Sequence, residues 1–370
     1  MKQLRHVAFC GGGSGGHIIP AVAIAEELLQ HNLLATVSFF TSGRNVDDKI
    51  LQSCKLPQTR VSVIQQPVTS SQGFIKYRFA IIRSIWRCLR SFKQKRPDIV
   101  VGMGGFASVP GVIAAWWLRI PVALFESNTV VGRANRQLNR LAKVTMIGWP
   151  TQSGNPHAVA EKERRPIHWK TGVPVRSSFQ HAHRQKVSHP GVVQLLIIGG
   201  SLGSLRLNQL VHAAFLDSGD LNDSIHVLHQ TGETNLEIVR SGYDQSYVDA
   251  QVRPYIENMA AAMTQADLVI SRAGALSLAE LAAIGRASIL IPLSTAADNH
   301  QACNAEHFAG VGAAAVVDET DEHAASHLRD LLLKLCRDTK EREIMAAAAG
   351  NLRQPDAACR VIHVLSEHCK

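Results

Sequence analysis

His17 stands directly behind the run Gly11-Gly12-Gly13-Ser14-Gly15-Gly16. A glycine run ending at a helix start offers unpaired backbone N–H groups and the positive end of a helix dipole, which suit a phosphate. An imidazole at that edge faces a bound anion and whatever reacts beside it. With an ordinary pKa of about 6.5 it suits a general base, although position alone fits a helix-capping or phosphate-donating histidine equally well. A second glycine turn, Gly199-Gly200-Ser201-Leu202-Gly203, repeats the pattern in the other half. Further on, Glu280 closes the stretch Asp267 to Glu280. Its carboxylate suits the diol of a ribose, and Ser277-x-x-Glu280 is also the spacing of a capping box. Asp298 to Asn304 gathers His300, Gln301 and Asn304, donors that suit sugar hydroxyls or a polar helix cap.

Each of these groups needs a strand to carry it and a helix to follow. His6 to Cys10 is a short apolar run into the first glycine turn, followed by helical periodicity from Pro20 to Leu29. Val193 to Ile198 leads into the second, followed by Leu205 to Phe215. Further strands are predicted at Thr36–Phe40, Ile99–Val101, Val122–Phe125, Val144–Ile147, His226–His229, Leu268–Ser271 and Ser288–Pro292, most separated by helical patterns. Strand–helix alternation with two glycine turns predicts two Rossmann-like α/β domains with parallel sheets. A chain of 370 residues is long enough for both. The boundaries predicted are 1–165 and 166–349, with Trp149 to Arg165 as the connection and terminal helices in Glu343 to Cys369.

The composition narrows the class. Hydrophobic residues make up 46% and charged residues 19%, which excludes a disordered or fibrous chain. The richest apolar stretch, Ala107 to Phe125, is interrupted by Pro110, Arg119 and Pro121, too soon for a spanning helix of about 18 residues or more. Glycines arrive too early for a signal peptide, so a soluble cytoplasmic chain is expected. The seven cysteines are scattered without a C-x-x-C pair and fit neither a disulfide framework nor a zinc spacing.

The net charge of +9 is uneven: from Lys49 to Ala160 there are 16 Lys or Arg against two acids, Asp98 and Glu126. That half is predicted to meet an anionic ligand or surface. Phe74 to Phe92 follows helical periodicity, with Phe74, Tyr77, Ile81, Ile85, Cys88 and Phe92 on a core face and Lys76, Arg83, Arg87 and Arg90 opposite. Ile75, Phe79, Ile82 and Trp86 edge the basic stripe, and Trp116 and Trp117 extend it. Large apolar groups beside arginines fit an interfacial membrane patch or a half-buried helix edge. Nucleic acid ranks lower, because no recognised binding motif accompanies the charge.

Gly11-x-Gly13-x-x-Gly16 also matches the dinucleotide fingerprint. The next strand, however, ends Thr41-Ser42-Gly43-Arg44 without the acid that would hold a ribose. Arg44 beside a 2′-phosphate keeps an NADP-dependent reductase open, but that reading leaves the second glycine turn unused.

Taken in order, Gly11 to His17, Gly102-Met-Gly-Gly-Phe-Ala-Ser-Val-Pro110, Glu126-Ser-Asn128, Gly172-Val-Pro-Val-Arg176, Gly199-Gly-Ser201, Ser271 to Glu280 and Asp298 to Asn304 resemble the MurG family. Its members are peptidoglycan N-acetylglucosaminyltransferases that convert lipid I to lipid II. The resemblance spans nearly the whole chain, and within it the functional readings prevail for His17, Glu280 and Gln301. It implies a GT-B fold, two Rossmann-like domains with parallel sheets facing across a cleft, and a C-terminal helix near 350–370 that packs back on the first domain. It implies UDP-GlcNAc on the second domain: Ile256 near uracil, Glu280 at ribose, Ser201 and Arg176 at the diphosphate. Ala275 and Leu276 border that site, His300, Gln301 and Asn304 meet the GlcNAc hydroxyls, and Ser14, Gly15, Gly16 and Asn128 also count on the donor side.

The pyrophosphate of lipid I, undecaprenyl-pyrophosphoryl-MurNAc-pentapeptide, would rest on Gly13, Ser14, Gly15, Gly104 and Gly105. Ile75, Phe79, Ile82, Trp86 and Trp116 would face an anionic membrane surface, at the cytoplasmic face of the bacterial inner membrane. The chemistry implied is single displacement with inversion, His17 taking the proton of the MurNAc C4 hydroxyl, with no cofactor. No Asp-x-Asp element stands where a metal-bound diphosphate would need it, so a metal-independent site is predicted. The sequence departs from the family at Phe125 and Ser127, where His and Gln are usual, at Phe106 in place of Tyr, and at Ser108-Val-Pro-Gly111. A nucleotide-sugar-binding subunit without turnover and a lipid glycosyltransferase with a diacylglycerol acceptor remain as rival readings.

Overall fold

The computed structural model describes residues 3–54, 58–62, 71–150, 166–180, 182, 191–200, 203–216, 224–246 and 248–369. The chain divides into two units, Met1–Ser177 with Pro355–Lys370, and Ser178–Gln354. The first unit runs β1 (His6–Cys10), α1 (Gly15–His31), β2 (Thr36–Thr41), α2 (Asn45–Ser53), β3 (Gln58–Ser62), α3 (Ser71–Gln94), β4 (Ile99–Gly102) and α4 (Ser108–Trp117). It continues through β5 (Val122–Glu126), α5 (Arg133–Leu138), β6 (Val144–Ile147) and β7 (Ile167–Lys170), and α6 (Ser177–Gln180) spans the division. Its seven strands are ordered β3-β2-β1-β4-β5-β6-β7, all parallel.

Strands buried on both faces read as continuous apolar runs, and β1 is fully buried. Alternate residues serve opposite layers. Val7 and Phe9 share a core with Ile18 and Ile24 of α1, whereas Ala8 and Cys10 share another with Cys88 and Phe92 of α3 and Val112 of α4.

The second unit runs β8 (Val193–Ile198), α7 (Leu205–Leu216), β9 (Ile225–Gln230), α8 (Leu236–Ser246), β10 (Ala250–Arg253), α9 (Met259–Gln265), β11 (Leu268–Ser271) and α10 (Ala275–Ile284). Then come β12 (Ala287–Leu290), α11 (His300–Ala309), β13 (Ala314–Val316), α12 (Ala324–Arg337) and α13 (Thr339–Asn351). Its six strands are ordered β10-β9-β8-β11-β12-β13, again all parallel. Both sheets therefore follow the order of a Rossmann fold, with the reversal between β1 and β4 in one and between β8 and β11 in the other. The last helix, α14 (Ala357–His368), belongs to the first unit, where Val361, Val364 and Leu365 join the core of α1.

One boundary differs from the sequence reading. The segment after Trp149 is not the link between units, because β7 returns to pair with β6, Ile147 opposite Lys170. The first unit consequently extends past residue 165 to Ser177, and the second to Gln354.

Candidate active site

In the first unit the chemistry gathers at the carboxyl ends of β1 and β4, the reversal point of the sheet, where open α/β sheets take ligands. Ser14 is the N-cap of α1, yet its hydroxyl does not cap the helix. It meets His17 Nδ1 at 3.0 Å instead. The imidazole, half-buried, lies against the turn that follows β4. Gly104 and Gly105 have φ of 90° and 69°, a region costly for any other residue. A β-carbon at Gly104 would stand 3.3 Å from His17 Nε2, and one at Gly105 3.4 Å from Nδ1. These two glycines thus admit the ring. Ser108 braces the turn by donating from Oγ to the Gly105 carbonyl at 2.7 Å.

The first glycine loop is held from below by Asp47, fully buried on α2. Its carboxylate accepts from Gly13 N–H at 2.8 Å, from Ser42 N–H at 3.0 Å and from the Ser42 hydroxyl. This corrects one expectation: the Gly13 amide is committed to Asp47, whereas Gly15 and Gly16 lie in the first turn of α1, where amides have no helical partner. Arg44 donates to the Gly13 carbonyl at 3.2 Å. Glu126, buried at the end of β5, accepts from Asn128 N–H and Nδ2 at 3.1 Å each and from Gly132 N–H and Asn135 Nδ2 at 2.9 Å each. Asn128 is therefore tied to the loop it belongs to. Phe125, where the family usually has His, is a buried core residue.

In the second unit the corresponding ends are those of β8 and β11. Gly203 has φ of 75°, and a β-carbon there would run into the Thr231 carbonyl oxygen, so only glycine fits. Gln230, buried at the end of β9, donates from Nε2 to the Gly200 carbonyl at 2.9 Å and accepts from Ile256 N–H at 2.8 Å. One side chain thereby couples the glycine turn to the residue expected near uracil.

Arg272, buried after β11, joins three loops. It donates to Ser204 Oγ from Nε at 3.2 Å and from Nη2 at 2.6 Å. From Nη1 it reaches the carbonyls of Ile291 and Pro292, and its Nη2 lies 2.7 Å from Glu319 Oε2. Burial disfavours a charge on Glu319, but the Ser294 N–H, Arg272 and the Ser294 hydroxyl outweigh it and hold the carboxyl below its usual range.

Glu280 is buried on α10. The N-cap of that helix is Gly274, so Ser277 lies inside it and Ser277-x-x-Glu280 is not a capping box. Glu280 accordingly sits in the second turn rather than the first. Ala275 and Leu276 open the helix and are buried. Asp298 and Asn299 both adopt left-handed backbone, with φ of 54°, ahead of α11. Such strain clusters at ligand sites, and Asp and Asn tolerate it best. His300 Nδ1 donates to the Ala297 carbonyl at 2.6 Å, which leaves Nε2 the acceptor in the neutral ring. Gln301 accepts from Leu293 N–H at 3.0 Å through its oxygen, so that bond does not use the amide nitrogen.

Asn304 departs from expectation: it is fully buried and donates to the Ala273 carbonyl at 3.0 Å, fixing the turn after β11 instead of presenting its amide to solvent. Arg176 falls in the first unit, and Ser201 lies outside the described residues. Sequence reasoning missed Asp47, Gln230, Arg272 and Glu319. Gln230, Arg272 and Glu319 share only the signal of a polar residue at or shortly after a strand end, and Asp47 that of an acid in the first turn of a helix, both of which are common.

Two parallel-sheet units, each with a glycine turn at the sheet's reversal point and polar groups gathered around it, form a pair of Rossmann-like domains, and the family matches make the pair a glycosyltransferase. Residues 7–147 match the glycosyltransferase family 28 N-terminal domain and residues 194–361 its C-terminal domain. The chain is 35% identical to a UDP-N-acetylglucosamine--N-acetylmuramyl-(pentapeptide) pyrophosphoryl-undecaprenol N-acetylglucosamine transferase of Alkalilimnicola ehrlichii, over 98% of this chain and 99% of that one. The enzyme of that name from Myxococcus xanthus is also 35% identical, over 96% and 91%. The crystal structure of Acinetobacter baumannii MurG matches with a TM-score of 0.74 and 30% identity, covering 98% of this chain and 99% of that one. The chain belongs to the MurG family.

Proposed function

We propose that the chain transfers N-acetylglucosamine from UDP-GlcNAc to the C4 hydroxyl of MurNAc in lipid-linked MurNAc-pentapeptide, with His17 as the general base. The reaction is an inverting displacement that forms a β-1,4 bond and releases UDP. The observation that carries the role of His17 is its ring, set by Ser14 at Nδ1 and by the Gly104–Gly105 turn at its face. With Nδ1–H donating to Ser14, Nε2 holds the lone pair that accepts the hydroxyl proton. The acceptor pyrophosphate rests on the first-turn amides of α1, Gly15 and Gly16. On the donor side Glu280 holds the ribose, Gln301 and His300 hold GlcNAc hydroxyls, and Ile256 lies at the base. Arg176, Ser201 and the helix behind the second glycine turn stabilise charge growing on the departing UDP. Replacing His17 by Ala is expected to lower kcat about 10²–10⁴-fold with little change in KM for UDP-GlcNAc. A variant with nearly full kcat removes His17 from the chemistry.

The acceptor is lipid-linked, and among the described residues no helix is long and apolar enough to cross a membrane. We assign membrane contact to α3 and α4. Phe79 and Trp86 are each 69% exposed and Ile82 51%, beside exposed Arg83, Arg87 and Arg90, with Trp116 and Trp117 exposed at the end of α4. The side chain of Ile75 lies outside the described residues. Apolar groups ringed by arginine fit an anionic leaflet, each basic residue adding about 1 kcal/mol. This reading puts the protein at the cytoplasmic face of the bacterial inner membrane. Cosedimentation with anionic vesicles is expected to fail for the Phe79→Ser/Trp86→Ser double variant; unchanged cosedimentation removes the assignment.

A further inference from the structure

The last turn of α1 and the first turn of α14 bring together three side chains that the transfer reaction does not use. Glu27 and His31 are four residues apart on α1 and so project from one face of it. Cys359 comes from α14, which is fastened to α1 by Val361, Val364 and Leu365 in the core that holds Ile24 and Leu28. His31 Nε2 and Cys359 Sγ each lie 2.9 Å from the same oxygen, Glu27 Oε1. All three donor atoms fall within 4.8 Å of one another. Two hydrogens thus converge on one carboxylate oxygen, a place a single dication can take over.

We propose that Glu27, His31 and Cys359 bind Zn²⁺. Thiolate, imidazole and carboxylate are the ligands zinc takes, at about 2.3, 2.0 and 2.0–2.2 Å, whereas magnesium and calcium prefer all-oxygen sites. Tetrahedral bonds of those lengths separate the donor atoms by roughly 3.3–3.6 Å, against 2.9 Å from Glu27 Oε1 to each partner and at most 4.8 Å between any two, so side-chain shifts on the order of an ångström bring them into place. The carboxylate binds as it is, the neutral His31 ring gives up its Nε2 proton and takes one from solvent at Nδ1, which frees Nε2 for the metal, and the Cys359 thiol releases one proton to solvent as its sulfur bonds the metal. A water fills the fourth position. The helices are already packed, so the ion pins α14 to the helix whose other end carries His17, without entering the reaction.

The probe is Co²⁺ added to the reduced full-length protein, followed by Zn²⁺. We expect a thiolate-to-cobalt charge-transfer band that saturates at one equivalent and is displaced by zinc. Cys359→Ser is expected to abolish the band, and His31→Ala to weaken zinc binding at least about tenfold, while both variants keep transferase activity. Zinc is expected to raise the Tm of the wild type and not that of Cys359→Ser. Absence of the band at one equivalent overturns the proposal, as does a band that survives in Cys359→Ser and so belongs to another cysteine.

Discussion

The two glycine turns are alike in sequence and in place, each at the reversal point of a parallel sheet, but they are anchored in opposite senses. Below the first turn, Asp47 accepts from Gly13 and consumes an N–H of the loop. Beside the second, Gln230 donates to the Gly200 carbonyl, a bond that consumes no N–H of that turn. A carboxylate anchor adds a buried negative charge beneath the first loop, where Arg44 donates to the Gly13 carbonyl. An amide anchor adds none; beside that turn Arg272 is paired with Glu319 and donates to Ser204. The difference separates two tasks. In the proposed function the first turn seats an imidazole next to the acceptor, while the second serves the nucleotide.

The contrast can be broken unit by unit, because Trp86, Trp116, Trp117, Trp149 and Trp169 are the chain's five tryptophans and all lie in the first unit. Their fluorescence follows that unit, and hydrogen exchange of β8 and β11 follows the other. The largest effect is expected from Arg272→Met, which leaves Glu319 buried without its partner and should lower the opening free energy of the second unit by about 3–5 kcal/mol. The tryptophan transition should barely move. Equal losses in both units would show that Arg272 does not act locally. Next comes Asp47→Asn, which loses charge-assisted bonds to Gly13 and Ser42 and should shift the tryptophan transition by about 2–3 kcal/mol. An unchanged transition removes Asp47 as the anchor.

A third test uses pH. His229 is buried between Tyr243 at Nδ1 and Asn208 at Nε2, and burial lowers its pKa to about 3. The unfolded chain takes up that proton near pH 6.5 and the folded one does not. The second unit is therefore at full stability above pH 6.5 and weakens as pH falls toward 3, by up to about 1.4 kcal/mol per unit. Between pH 7 and 5 the wild type should lose about 2 kcal/mol more than His229→Gln. Parallel losses would place the acid sensitivity elsewhere.

How far the sequence was legible follows from where each residue sits in its sheet. Val144–Ile147, Val193–Ile198 and Leu268–Ser271 read as strands to the residue, because strands inside a parallel sheet are apolar throughout. The strands that went unread are β3, β7, β10 and β13, and these are the four sheet edges. An edge strand faces solvent on one side and carries polar residues, as Gln58-Thr-Arg-Val-Ser62 and Ala250-Gln-Val-Arg253 do, which erases the apolar run. The site divides in a similar way. His17, Glu280 and Gln301 were singled out because the order of motifs around them matches a family, whereas Asp47, Gln230 and Arg272 act through bonds to distant loops that spacing does not encode. Cys359 is the extreme case: it lies 328 residues beyond His31, so no ligand spacing could point to the pair.

The smallest expected effect on stability is also the sharpest on mechanism. Gly105→Ala places a β-carbon at a φ of 69°, 3.3 Å from His17 Cε1 and 3.3 Å from the Gly12 carbonyl. The backbone strain should lower the stability of the first unit by about 1 kcal/mol. The ring can yield by a few tenths of an ångström, and any such shift moves Nε2 relative to the acceptor hydroxyl. Since misplacement by an ångström lowers rates by up to about 10²-fold, kcat should fall roughly tenfold while KM for UDP-GlcNAc stays constant. Gly203→Ala in the second unit, where the β-carbon meets the Thr231 carbonyl, should instead raise that KM. If the two variants gave the same split between kcat and KM, the division of labour between the turns would be lost. If they split as stated, the first turn is tied to the base and the second to the nucleotide.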